Sequence, residues 1–205
     1  MRATDADVMP EDAQAVLDFW FLPAGDEGHG GARREWFRKD AQFDAQIRAR
    51  FEGMIEDGLA GRLQAWADAG AGAALAHIVL LDQFTRNAWR GTPRAYAGDA
   101  LALGTARRLV DSGADLTLAP QQRAFVYMPF EHAEDGATQR LSVALFTRLV
   151  ADAPDLGNLA GALDFARRHG VIIERFGRFP HRNAILGRVS TPEELAFLRQ
   201  AGSGF

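Results

Sequence analysis

Apolar residues in this chain recur every three or four positions, and strand-like alternation is hard to find. That period constrains the fold most, because it lines one face of an α-helix and no single face of a β-strand. Over residues 34–59 the stripe is Phe43, Ile47, Phe51, Met54 and Ile55, with Gly58 and Gly61 to end it. Residues 11–21 form a shorter helix with Val16, Leu17, Trp20 and Phe21 on its apolar side, and the Gly-rich stretch 23–31 is a loop. Residues 71–84 are apolar nearly throughout and read as a buried core helix. Thr92 and Pro93 have the makings of an N-cap and first helical position for a helix running to about Val110 and closing at Gly113.

Pro120 opens a helix to about His132, in which Pro129 is expected to force a kink or an end. Residues 135–152 carry Leu141, Leu145 and Leu149 at four-residue spacing, and 159–176 follow, with a break expected near Gly170. Thr191-Pro192-Glu193-Glu194 is a capping-box sequence that starts a last helix. The pattern predicts about eight antiparallel helices with short connections, an all-α fold forming a single helical domain over residues 1–205, with 1–10 flexible.

The charge distribution points to a site. The chain carries a net −4, which argues against general nucleic-acid binding. Yet residues 83–98 hold Arg86, Arg90 and Arg94 with no acid, and residues 175–188 hold Arg175, Arg178, Arg182 and Arg188 with none. Removing those seven charges leaves −11 for the remainder (−4 − 7). The two islands also repeat a sequence. Arg86-Asn87 and Arg182-Asn183 are each followed after three residues by glycine, at Gly91 and Gly187, and then by a Thr-Pro pair. Guanidinium forks and helix starts both suit carboxylate or phosphate oxygens, so the segments are expected to face each other across an anion-binding cleft. The alternative is an internal salt-bridge network, for which Asp82, Glu131, Glu134, Asp135 and Glu174 are available carboxylates.

The acidic cluster Glu131-His132-Ala133-Glu134-Asp135 supplies acid–base candidates. On a helix Asp135 shares a face with His132 and is placed to orient it as a general base; His181 is the second candidate. The competing reading makes Glu134 and Asp135 the acidic start of the following helix. His132, Glu134, Asp135 and His181 are also the only set that convergence in space would turn into metal ligands, since no metal-binding spacing is present. His77 reads as a core histidine and His29 as a solvated one. Phe19, Trp20, Phe21, Trp36 and Phe37 read as core, whereas Trp89, beside Arg90 in a turn, is placed to wall a pocket or stack on an arginine. No Gly-rich phosphate loop, nucleophile elbow or dinucleotide fingerprint occurs, so no cofactor is expected.

The chain has no cysteine, which excludes disulfides and thiolate chemistry. Residues 1–12 are acidic and polar, unlike a secretory signal or transit peptide. The longest uncharged stretch, 69–81, is shorter than the roughly 20 residues that span a bilayer. A soluble, cytoplasmic protein without membrane contact is expected.

Several strings resemble a family of bacterial and eukaryotic proteins known as domain of unknown function 924. They include Leu17-Asp18-Phe19-Trp20-Phe21, Leu80-Leu81-Asp82-Gln83-Phe84, Arg86-Asn87 through Pro93, Tyr127-Met128-Pro129, and the specific run Arg175-Phe176-Gly177-Arg178-Phe179-Pro180-His181-Arg182-Asn183. The likeness extends from about residue 14 to the C-terminus. Thr85 departs from it, standing where the family usually carries proline. The resemblance implies a tetratricopeptide-like helical superhelix and no settled activity. The leading expectation is thus a cleft for a small anionic ligand, lined by Arg86, Asn87, Arg90, Arg175, Arg178, Arg182, Asn183 and Arg188 and facing Glu134, His132 and Asp135. The alternative is a groove for a protein partner or peptide, with the arginines purely structural.

Overall fold

Caps decide where the periodic stripes become helices. The computed structural model describes residues 9–204; the expectation of a flexible start falls largely on 1–8, outside them. Helix α1 spans Glu11–Phe21 and α2 spans Ala41–Leu59. The second starts later than its stripe suggests because Asp40 caps it, accepting bonds from the backbone N–H of Gln42 and Phe43 (2.9 and 3.1 Å). Residues before that cap make only a short 3₁₀ turn, Arg34–Trp36.

Helix α3 (Ala71–Ile78) runs through a π-helical turn, Val79–Phe84, into α4 (Thr85–Ala88), making one buried rod. Thr85 keeps helical dihedrals and donates its hydroxyl to the carbonyl of Leu81 (2.7 Å), so the departure from proline leaves the rod intact. The helix expected from Thr92 instead begins as a 3₁₀ turn, Pro93–Tyr96, and only then becomes α5 (Asp99–Asp111). The Thr92 hydroxyl bonds back to the Trp89 carbonyl rather than capping forward.

Pro129 does not itself end α6 (Pro120–Glu131), which runs two residues beyond it. It lies in the last turn, where its missing N–H removes a single ladder bond. The end of α6 is secured from outside: the Gln139 amide donates to the carbonyls of Glu131 and Ala133 (2.6 and 2.7 Å). Helix α7 (Gly136–Asp152) follows, then α8 (Gly157–Phe176), which runs unbroken through Gly170. Glycine costs about 1 kcal/mol in a helix interior, which a 20-residue helix with six buried side chains absorbs. Helix α9 (Pro192–Leu198) has the expected capping box, with Thr191 and Glu194 bonded reciprocally. Counting the α3–α4 rod once, eight helical rods form among the described residues, with no strand and no helix long and apolar enough to cross a membrane.

The α3–α4 rod is central: α1, α2, α5 and α6 pack around it, and α7 and α8 add to α6. Its flank is aromatic. Trp20 meets Trp36, Phe43, Phe84 and Phe125 at ring separations of 5.5–6.1 Å, and Phe19 meets Phe43, Phe51 and Phe84. These side chains belong to one continuous core, while Ile172, Ile173 and Phe179 form a small second cluster that seats α9. His77 lies in the main core with its Nδ1 3.0 Å from the Thr105 hydroxyl, and burial lowers its pKa to about 4, so it stays neutral. His29 is exposed, with Nδ1 2.7 Å from the Leu22 carbonyl.

Candidate functional site

The buried charges gather where the π-turn meets the N-terminus of α5 and the C-terminus of α6. A π-turn widens a helix by one residue and frequently accompanies function. Here it carries Asp82, which is fully buried in an otherwise apolar run. Gly98 brings α5 against that turn. A Cβ at this position would lie 2.1 Å from the Leu81 carbonyl oxygen, so only glycine permits the approach. The next residue, Asp99, thereby reaches the guanidinium of Arg86 and accepts a bidentate pair of bonds from it (2.9 and 3.1 Å).

Arg86 also donates to the Asp82 side chain (3.1 Å) and to its backbone carbonyl (2.6 Å). Asp82 is gripped from both sides, since Gln83 donates to its second oxygen (2.6 Å) and His132 bonds to its first (2.7 Å). Burial opposes ionisation of Asp82, but the charge of Arg86 and the bonds from His132 and Gln83 hold its pKa well below the usual carboxylate range. An ionised Asp82 makes Nδ1 of His132 the protonated nitrogen and leaves Nε2 as an acceptor. Burial, followed by the nearby Arg86, pushes the His132 pKa down, so the imidazole is neutral at neutral pH. The result is an aspartate–histidine pair of the kind that positions a general base.

Arg182 enters from the 3₁₀ turn Pro180–Arg182 and is 6% exposed. Both of its hydrogen bonds leave from Nη1, to the His132 carbonyl (3.1 Å) and to Asp99 (3.4 Å). Its guanidinium lies over the rings of Tyr96 and Phe179, 4.8 and 4.5 Å from their centroids, and its Nε has no hydrogen-bond partner among the described residues. Burial and the neighbouring Arg86 lower the Arg182 pKa, whereas Asp82 and Asp99 outweigh burial at Arg86 and raise its pKa.

Above these groups opens a cleft of about 590 Å³, lined by Tyr96, Asp99, His132, Glu134, Asp135 and Arg182 and by apolar side chains of α5 and its neighbours. That volume falls in the range common for small-molecule sites. Glu134 accepts a bidentate pair from Arg188 (2.6 and 2.9 Å) and a backbone bond from Phe179 (2.7 Å). Burial works against it, but those bonds lower its pKa.

Behind His132, the rings of His132 and His169 stand 6.3 Å apart, and His169 Nδ1 is 3.2 Å from the carboxylate of Glu131. Burial, then the charge of Asp82, raises the Glu131 pKa to about 8, and burial holds His169 near 3. A second depression, about 490 Å³ between α1 and α2, lacks comparable chemistry: its Arg33 already caps the carbonyls of Phe19 and Trp20.

The structure brings together only part of the predicted set. Arg86, Arg182, His132 and Glu134 converge. Asn87 and Arg90 point elsewhere, to Asp44 on α2 (2.8 and 2.9 Å). Arg175 pairs with Glu193; Arg178 and Asn183 both hold Glu194 beneath α9; and Arg188 holds Glu134. The arginines thus draw on acids far away in sequence, and the two islands are neutralised in space. Asp135 lines the rim but does not orient His132. Its carboxylate caps α7 through the Thr138 N–H and hydroxyl (2.7 and 2.6 Å), and those bonds lower its pKa. The orienting carboxylate is Asp82. His181 packs against the Phe179 ring (5.7 Å), and burial lowers its pKa to about 4. Trp89 stacks under Arg94, 4.2 Å from its ring centroid, while Arg94 pairs with Glu56. Among the described residues no group of three or more His, Asp or Glu stands in metal-holding geometry.

Sequence reasoning missed the roles of Asp99, Gly98, Tyr96 and Gln83. Asp99 lies one residue past the acid-free window, and Gly98 gives no local signal because its role is a tertiary approach. Asp82 was more legible, being a lone carboxylate inside an apolar run that required a buried partner.

No curated protein matches the chain. A solved structure, that of a protein of unknown function from Agrobacterium tumefaciens, is similar, with 40% identity, a TM-score of 0.75, and coverage of 91% of this chain and 96% of that one. The family described as bacterial protein of unknown function, DUF924, matches residues 16–202, which contain every side chain of the buried charge cluster, and the chain belongs to that family.

Proposed function

We propose that the cleft above Asp99 and His132 binds a small anionic molecule, a carboxylate or phosphate ester, through Arg182. The observation that carries this reading is the unsatisfied guanidinium: Arg182 is 6% exposed, yet among the described residues its Nε has no partner and both of its bonds leave from Nη1. A buried donor without a partner costs about 1–3 kcal/mol, and a ligand oxygen supplies what the fold leaves out. Beside it, the Asp82–His132 pair equips the cleft for proton transfer at a bound molecule, with Nε2 as the accepting atom. The reading uses fewer arginines than the sequence pattern suggests, because Arg86 and Arg188 are already saturated by carboxylates.

Thermal-shift measurements with a panel of small carboxylates and phosphate esters test it, since a ligand that binds only the native state raises Tm. The shift is expected in the natural protein and in Arg90→Met, and is expected to vanish in Arg182→Met. If no anion raises Tm, or if Arg182→Met keeps the full response, the reading fails. A second reading makes the helices a tetratricopeptide-like support for a protein partner; what favours it is the pairwise packing of consecutive helices α5, α6, α7 and α8. It gains ground if the anion panel is silent and a helical or extended peptide shifts Tm.

A further inference from the structure

The cleft has two unlike kinds of lining. Arg182, His132, Asp99 and Glu134 supply its polar lining, and Ala97, Ala100, Leu103, Pro129 and Leu186 supply apolar lining. Ala97, just before α5, and Ala100 and Leu103 within it follow one another at three-residue spacing, so they share one side of the entry to α5. Two of the three are alanine, which leaves a shallow apolar track instead of filling it. Ala97 and Ala100 are exposed, and Leu186 is 36% exposed, so this wall is wet and apolar in the free protein.

The polar lining is balanced in charge. Arg86, Arg182 and Arg188 stand against Asp82, Asp99 and Glu134, and Asp135 lies on the rim. A dianion such as a phosphate monoester finds no net positive charge here, because the three arginines are matched by three carboxylates and Asp135 adds a fourth. A monoanion meets far less repulsion and matches the planar fork of a single arginine.

Building on the proposed anion site, we infer that its ligand is an apolar-tailed monocarboxylate, its head on Arg182 and its tail along Ala97, Ala100 and Leu103. The tail displaces water from the alanine track, and the head supplies the acceptor that Arg182 lacks.

The test is titration calorimetry on the full chain with acetate, butyrate, hexanoate and octanoate, alongside inorganic phosphate and hexyl phosphate. Affinity is expected to rise by about threefold to fourfold per methylene until the track is full, at one ligand per chain. Hexanoate is expected to bind more tightly than hexyl phosphate. Ala100→Gln, an exposed position given a neutral helix-forming side chain, is expected to flatten the chain-length dependence. If anions bind but chain length makes no difference, or hexyl phosphate binds more tightly than hexanoate, this inference falls and the anion site stands. Chain-length dependence unaffected by Ala100→Gln, or several ligands per chain, overturns the placement of the tail. If no anion of either series binds, both readings fall together.

Discussion

The two Arg-Asn segments perform the same pair of tasks. In each, the asparagine joins a second arginine on one outlying carboxylate: Asn87 with Arg90 on Asp44, and Asn183 with Arg178 on Glu194. In each, the motif arginine turns inward to the shared Asp99. There the likeness ends. Arg86 grips Asp99 with two bonds and Asp82 with two more, whereas Arg182 reaches Asp99 once, at 3.4 Å, and its Nε is unpaired among the described residues. One copy is a closed structural tie, and the other is a partly unsatisfied cation at the edge of a cleft. Similar local sequence therefore gives different chemistry according to how many carboxylates the rest of the chain supplies.

The sharpest way to break that comparison is to remove each motif arginine in turn. Arg86→Met leaves Asp82 and part of Asp99 buried without a counter-charge, so a loss of about 3–5 kcal/mol is expected. Arg182→Met removes a cation that is itself incompletely paired and is expected to cost about 1 kcal/mol or less. Denaturant melts of the two variants decide it; equal losses would dissolve the distinction between tie and site.

A smaller effect concerns the carboxylate that neither arginine reaches. With a folded pKa near 8 against an ordinary 4.5, Glu131 holds its proton in the folded state while the unfolded chain releases it. Its contribution is therefore fully present below about pH 4.5 and is lost as pH rises through 8. His169, held near 3, acts in the opposite sense: its contribution is present above the ordinary histidine value and is lost as pH falls toward 3. Glu131→Gln is expected to gain a few kcal/mol on the natural protein between pH 5 and 8. Parallel Tm–pH curves for the two proteins would show that Glu131 does not titrate in this way.

The smallest contrast lies between the asparagines. The Glu194 side chain is 3% exposed, whereas the Asp44 side chain is 19% exposed. Asn183→Ala is accordingly expected to cost about 1–2 kcal/mol and Asn87→Ala about 0.5–1 kcal/mol. A reversed order in urea melts would mean that the outlying carboxylates differ in some way other than burial.

Much of the helical framework is legible residue by residue. The stripe Phe43, Ile47, Phe51 and Ile55 is buried as its period requires, the Thr191–Glu194 box forms, and Gly113 and Gly177 end their helices in left-handed geometry. The errors cluster where a neighbour outvotes a local rule. Pro129 does not stop α6 because Gln139 from α7 secures the end beyond it. Thr92 makes no side-chain cap, its hydroxyl instead donating back to the Trp89 carbonyl. The π-turn has no local signature at all.

For the site, the sequence by itself determined which arginines exist, that they lie in two acid-free islands, and that His132 and Glu134 are close enough in chain order to share a rim. Hydrophobic period and composition are local properties, so they survive without the fold. Only the tertiary structure decided which cations stay unsatisfied. That depends on carboxylates up to 83 positions away, such as Asp99 for Arg182, and on a glycine whose missing Cβ lets α5 close on the π-turn. Electrostatic pairing and close backbone approach are set by distance in space, and in this protein they turned a duplicated motif into one rivet and one candidate binding site.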